Sequence, residues 1–356
     1  MKVSTLAAIE FFSLAVGAIS SPWDTKSSAV PTASICPSSG PNQLDSIEQE
    51  AHGTLSNMTL PANISKDGIT NLQLIAFNEL FEVSFFEQLL FNLTNHVDGY
   101  DLTNNTSGDF IIETILTIQN QEELHALHAN QLLQHFGVEP VQPCNYSFPV
   151  STLDEAIEFA ALFTSAGLGT LQEILWISAE LGDGFLIPDL ASITGQEGEQ
   201  EGFFRVLQNK VPSELPFLTA SSREFIFTAV QSYSVQGTCS GLDRINLKTF
   251  LPLNLITTPV AETAMVHFTY LNETQFLHHT NLSAAYINQQ NRPIVETIFI
   301  NNTENGTVTA EALFPYNENE MNGLTIMALT NSSGPFENAT EVAEATVFGP
   351  AFIIVN

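Results

Sequence analysis

The stretch 110–136 constrains the fold most, because a strongly apolar helical face there also carries two ionisable groups. Ile111, Ile115, Ile118, Glu122, His125, Ala129, Leu132 and Phe136 follow one another in alternating steps of four and three. That spacing keeps side chains on one buried face of a helix. Glu122 and His125, a Glu-x-x-His pair, therefore face a core. A carboxylate and an imidazole buried one turn apart require a partner, a proton or a metal. Glu-x-x-His also arises by chance, so a hydrogen-bonded polar core is the alternative to a ligand pair.

Three further segments repeat the pattern. Over 69–97 the seam is Leu72, Ile75, Glu79, Glu82, Phe86, Leu89 and Leu93, again with acids in the core line. The alternative is that Glu79 and Glu82 lie at the edge of the stripe and reach solvent. Over 152–181 the seam is Ile157, Ala160, Thr164, Gly167, Leu171, Ile174 and Ser178, with Thr164 as its polar point and Glu173 off the line. Gly167 and Gly169 suggest a close helix approach. Over 188–207 the seam is Leu190, Ile193, Glu197, Gln200, Phe204 and Leu207, despite Gly195, Gly198 and Gly202. Each glycine costs about 1 kcal/mol in helix propensity, so tertiary packing has to hold this helix, and an acidic surface loop is the alternative. The proline-bearing stretch 138–151 reads as a crossover, and Ser221-Ser222-Arg223-Glu224 reads as a capping box opening a short fifth helix to about Val235.

Beyond Gly237 the periodicity changes. Residues 250–356 alternate apolar and polar in short runs, such as Ala264 to Tyr270 and Leu324 to Leu329, broken by Asn, Gly and Pro. This predicts a small β-sandwich. Its only Lys or Arg is Arg292, and its outer face is expected to be acidic and sugar-covered. The pair His278-His279 lacks a carboxylate or cysteine at ligand spacing and reads as an exposed loop. The predicted fold class is thus α+β multidomain, a helical bundle followed by a small C-terminal β-sandwich. The expected boundaries are 1–20 a signal peptide, 21–68 a disordered glycosylated arm, 69–237 the bundle and 250–356 the sandwich.

Charge narrows the partners. Lys+Arg 9 against Asp+Glu 39 gives a formal net charge of -30. Nucleic acid and anionic membranes would be repelled, and cations are the natural partners. Residues 1–20 have Lys2, an apolar run and a small-x-small ending, as a secretory leader does. Asn-x-Ser/Thr sequons begin at Asn57, Asn63, Asn92, Asn104, Asn105, Asn145, Asn272, Asn281, Asn301, Asn305, Asn331 and Asn338. Together these point to a secreted glycoprotein, extracellular or wall-associated, with extracellular partners and no membrane insertion. Of Cys36, Cys144 and Cys239, the last two flank the helical region and are the expected disulfide.

The four seams follow the ferritin-like layout of inward carboxylates and Glu-x-x-His pairs on successive helices. The motifs Asn78 to Phe86, Glu122-x-x-His125, Pro143 to Pro149, Ala166-Gly167-Leu168-Gly169 and Glu197 to Arg205 carry a closer likeness. Over residues 68–237 the chain resembles the fungal secreted ferritin-like proteins of sexual development and stress response, related to plant desiccation-related proteins. The resemblance implies a bundle with a di-metal site, from which this chain departs twice. Thr164 stands where a bridging carboxylate is expected, and Gln200 where the second histidine is expected. Glu79 or Glu82, Glu122, His125 and Glu197 remain, able to hold no metal as a proton-sharing cluster or a single divalent Fe, Mn or Zn. Two readings follow: a non-catalytic development- or stress-associated protein with a degenerate site, or a metal-dependent oxidase or ferroxidase. A third, sugar or protein binding by the β domain, is weakened by the absence of an aromatic stripe.

Overall fold

The structure, a computed structural model, describes residues 41–102, 108–272 and 282–356. The expected leader 1–20, Cys36, the sequons at Asn104, Asn105 and Asn281, and His278-His279 lie outside the described residues. Four long helices form the bundle: α2 (Lys66–Thr94), α3 (Gly108–His135), α4 (Leu153–Leu181) and α5 (Ile187–Leu207). Before them comes α1 (Pro41–Glu50), and after them α6 (Arg223–Tyr233). The region 187–207 is helical despite its glycines. Gly195 and Gly198 open to free space, while Leu190 and Phe204 are buried on the other side.

Local chemistry sets the helix ends. Ser65 starts α2, its Oγ accepting from Gly68 N at 2.8 Å while Asp183 accepts from Ser65 N at 3.0 Å. Thr152 and Glu155 form a capping box at the head of α4, and Gly182 closes that helix at φ 82° in the left-handed region. The capping box expected at 221–224 is corrected. Ser222 Oγ donates to the Glu224 side chain at 2.5 Å, and Arg223 N donates to Glu173 Oε2 at 2.6 Å. A carboxylate from α4 thus replaces the local cap, so Glu173, off its seam, is buried and serves a neighbouring helix.

The arm expected to be disordered over 21–68 is corrected for 41–50. Ile47 and Ala51 are buried with Leu124 and Leu127 of α3, and Leu44 packs at the edge. Leu44, Ile47 and Ala51 recur at three and four residues, a stripe too short to stand alone but long enough to dock.

The C-terminal part holds two four-stranded antiparallel sheets. One has the order β1 (Leu253–Leu255), β2 (Ala264–Leu271), β6 (Thr307–Phe314), β5 (Phe299–Glu304). The other has the order β4 (Ile294–Thr297), β3 (Ser283–Asn288), β7 (Gly323–Thr330), β8 (Thr346–Val355). Two short helices, α7 (Tyr316–Asn319) and α8 (Ala339–Ala345), flank β7 in sequence. The register Phe268↔Ala310 and Tyr270↔Val308 turns these side chains inward, where they share a core with Tyr286, Met327 and Leu329 of the facing sheet.

Every residue of β7 is buried, because its other face, with Leu324, Ile326 and Ala328, packs into the bundle's core. The second sheet is therefore the middle layer between helices and first sheet. Thr219 fixes this junction: its Oγ1 donates to Leu324 O at 2.5 Å and accepts from Gln289 N at 2.8 Å. A disulfide joins Cys144 of the crossover to Cys239 beyond α6, with a Cα separation of 4.5 Å.

Candidate metal centre

Each bundle helix contributes to one buried polar cluster. Glu79 and Glu82 come from α2, Glu122 and His125 from α3, Thr164 and Gly167 from α4, and Glu197 and Gln200 from α5. One ligand atom each of Glu79, Glu122, His125 and Glu197 lies within 4.8 Å of the others. His125 Nδ1 is 2.9 Å from Glu122 Oε2 and 3.5 Å from Glu79 Oε2. Gln200 Nε2 donates to Glu122 Oε1, and Asn78 Nδ2 donates to Glu82 Oε1 at 2.9 Å.

Glu79 and Glu82 do not reach solvent, being 2% and 3% exposed. The reason is that α2 is enclosed, its Phe81 ring meeting Tyr146, Phe148 and Phe163 at 5.3, 5.5 and 4.5 Å. Only tertiary contact decides this, since the seam alone fits an edge position equally well. Glu82 stands beside the four-ligand group rather than within it, against Phe81, Phe159 and Thr164.

Burial dominates the protonation of the cluster. Burial pushes Glu79 up to about 8, against the pull of His125. Burial, then the neighbouring carboxylates, pushes Glu82 and Glu197 well above the ordinary carboxylate range. Burial would also raise Glu122, but the charge and hydrogen bond of His125, with bonds from Glu79 and Gln200, hold it below its ordinary value. Burial alone would lower His125, and Glu122 and Glu79 outweigh it to hold the imidazole well above its ordinary value. Without a metal the cluster is therefore one Glu122–His125 ion pair surrounded by neutral carboxyls at neutral pH.

That set leaves polar atoms unserved. Among the described residues, Glu79 Oε2, Glu82 Oε2, Glu197 Oε2 and Gln200 Oε1 are buried without a hydrogen-bond partner. Glu82 Oε2 and Glu197 Oε2 are orphaned outright and Glu79 Oε2 has only the 3.5 Å approach of His125 Nδ1, a set of buried oxygens that costs free energy and fits a cation among them. One imidazole with carboxylates suits Fe, Mn or Zn.

On α4, Thr164 lies beside Glu82, and Gly167 lines a small space with Asn78, Glu79 and Glu197. A Cβ there would sit 3.5 Å from Glu197 Oε2 and 3.8 Å from Glu82 Oε1. A Cβ would meet both carboxylates at ordinary contact distance, and neither Gly167 nor Thr164 brings a carboxylate from α4. The place of Gly167 on the α4 seam predicts only a packing role. Nothing on the α2 seam marks Asn78 beyond its four-residue spacing from Glu82.

An enclosed bundle with inward carboxylates and a Glu-x-x-His pair defines the ferritin-like class of helical proteins. Residues 69–210 match the ferritin-like domain family, so the bundle is a ferritin-like domain followed by C-terminal antiparallel sheets. No curated protein matches the chain.

Proposed function

We propose that the bundle holds one divalent transition metal, Fe, Mn or Zn, through Glu79, Glu122, His125 and Glu197, in a secreted, glycosylated protein without oxygen chemistry at paired metals. The convergence of these four side chains on one buried point, with carboxylate oxygens left unpartnered, carries this reading. A bound ion would supply a fixed positive charge for the surrounding carboxylates. Ligation requires ionised carboxylates and a neutral imidazole, so Glu79, Glu197 and His125 give up protons on binding and affinity falls with pH. Thr164 and Gln200 stand in place of a carboxylate and an imidazole of the full di-metal set, which argues for one metal and a non-catalytic role.

The extracellular setting is supported by the sequons. Asn57, Asn63, Asn145, Asn301, Asn305, Asn331 and Asn338 are exposed, as glycan acceptors must be. No helix among the described residues is long and apolar enough to cross a membrane. The likeness to fungal development and stress proteins agrees with such a setting, and a wall or extracellular partner is part of the proposal. A metal-dependent oxidase or ferroxidase is the second reading, favoured by the spare carboxylate of Glu82 beside the four ligands.

Elemental analysis of the natively secreted protein, with Glu122→Ala and His125→Ala variants, tests the site. About one metal per chain, lost in both variants, is expected; none in the wild type removes the proposal. Aerobic iron loading that develops oxygen-dependent absorbance would shift the choice to the oxidase. Enzymatic deglycosylation that leaves the mass of the secreted protein unchanged would remove the glycoprotein part.

A further inference from the structure

We propose that the cleft between the bundle and the sandwich, far in character from the carboxylate cluster, binds a neutral lipophilic small molecule. The cleft, partly open to solvent, offers about 510 Å³ between α6, the segment leading into β1, and the outer edge of β8. That volume falls within the roughly 300–1,000 Å³ of small-molecule sites, which favour such junctions between layers. Leu162, Phe250, Leu255, Phe352 and Ile354 all converge on it while only half-buried. Large apolar side chains gathered around a space leave surface that an apolar ligand would cover.

The lining is set apart by its charge. Among the described residues it contains no Asp, Glu, Lys, Arg or His, although the chain carries Asp+Glu 39 and Lys+Arg 9. An anionic ligand would meet the chain's net charge of -30 with no local cation to receive it. A cationic ligand would lose its hydration without a counter-charge in the cleft. A neutral molecule meets neither cost. Asn254, Tyr233 and Gln231, whose Nε2 already donates to Phe227 O at 3.0 Å, are the larger polar side chains of the wall. Burial pushes the Tyr233 hydroxyl up to about 12, so the wall stays uncharged across the physiological range.

An extended peptide fits less well. β1 is three residues long, and Pro252, Pro259 and Pro350 line the cleft. Proline removes the backbone donors that strand addition needs. Ala229, buried on α6 at the cleft wall, is where added volume would fill the space.

The test is fluorescence titration of the full-length secreted protein with Nile red, a neutral lipophilic dye, followed by displacement with dodecanol or dodecanoate at pH 8. Saturable uptake of one dye per chain is expected, displaced by dodecanol at a concentration about tenfold below that needed for dodecanoate. Ala229→Phe, which fills the cleft, should weaken dye binding by about tenfold or more. Ile256→Glu alters a 49% exposed wall residue, should fold normally, and should weaken binding similarly by bringing in a charge. If Ala229→Phe does not fold, Ile256→Glu decides. Absence of saturable uptake, equal competition by dodecanoate, or wild-type dye binding in Ile256→Glu overturns the proposal. So would displacement by an apolar extended peptide but not by dodecanol.

Discussion

Glu201 offers a sharp test of how burial governs this protein. It lies on α5, 4% exposed, with Oε2 lacking a hydrogen-bond partner among the described residues. Nearby, Arg205 pairs with Glu214 at 3.6 Å rather than with Glu201. Burial, then the charge of Glu214, raises Glu201 from 4.5 to about 8. A carboxyl raised on folding binds its proton more tightly in the native state. Its contribution to stability is therefore present in full below about 4.5 and is lost as pH climbs through about 8.

At about 1.4 kcal/mol per pH unit, that window sets a ceiling of about 5 kcal/mol. Water penetration and side-chain relaxation in the charged state bring the expected effect to about 2 kcal/mol. Glu201→Gln keeps the shape and removes the titration. Urea unfolding of chelator-treated wild type and variant, at pH 4.5 and pH 8.5, measures the difference. The variant should gain about 2 kcal/mol relative to wild type on going from the lower to the higher pH. Glu79 shares the same window but is present in both proteins, so the comparison cancels it. A variant whose relative stability is the same at both pH values would refute the reasoning.

Other perturbations read other parts of the structure. His125→Ala in chelator-treated protein strands Glu122, which is 0% exposed, and should cost about 3 kcal/mol in urea at pH 8; wild-type stability there would mean Glu122 does not rely on the imidazolium. Gly169→Ala places a Cβ 2.5 Å from Thr219 O, where α4 meets the strand junction, and should cost about 1–3 kcal/mol, with an unchanged melting temperature counting against that contact. Phe81→Ala empties the ring cluster around Tyr146, Phe148 and Phe163 and should lower stability by about 3–5 kcal/mol, a loss under 1 kcal/mol being inconsistent with a packed cluster. Cys239→Ser opens a link spanning 95 residues and should cost about 2–5 kcal/mol; equal stability of reduced and oxidised wild type would contradict this.

The sequence by itself determined the repeating units. Alternating steps of three and four marked α2, α3, α4 and α5, and period-two runs marked the strands, because side-chain direction along an element follows from local backbone geometry. The same periodicity set Glu79, Glu82, Glu122, His125 and Glu197 on the apolar seams, with Glu79 and Glu82 fitting the edge of theirs equally well. It missed α1, whose stripe of Leu44, Ile47 and Ala51 becomes meaningful only when α3 offers Leu124 and Leu127 to cover it.

What the tertiary structure decided was which faces meet. It separated Glu79, inside the four-ligand group, from Glu82, beside it, and it brought Gly167 up against Glu197. It buried β7 on both sides, gave Glu173 to the head of α6, and opened the uncharged cleft beside β8. A period fixes the angle at which a side chain leaves its own helix or strand. The distance between atoms on different elements depends on how those elements are packed, and protonation and ligation depend on that distance.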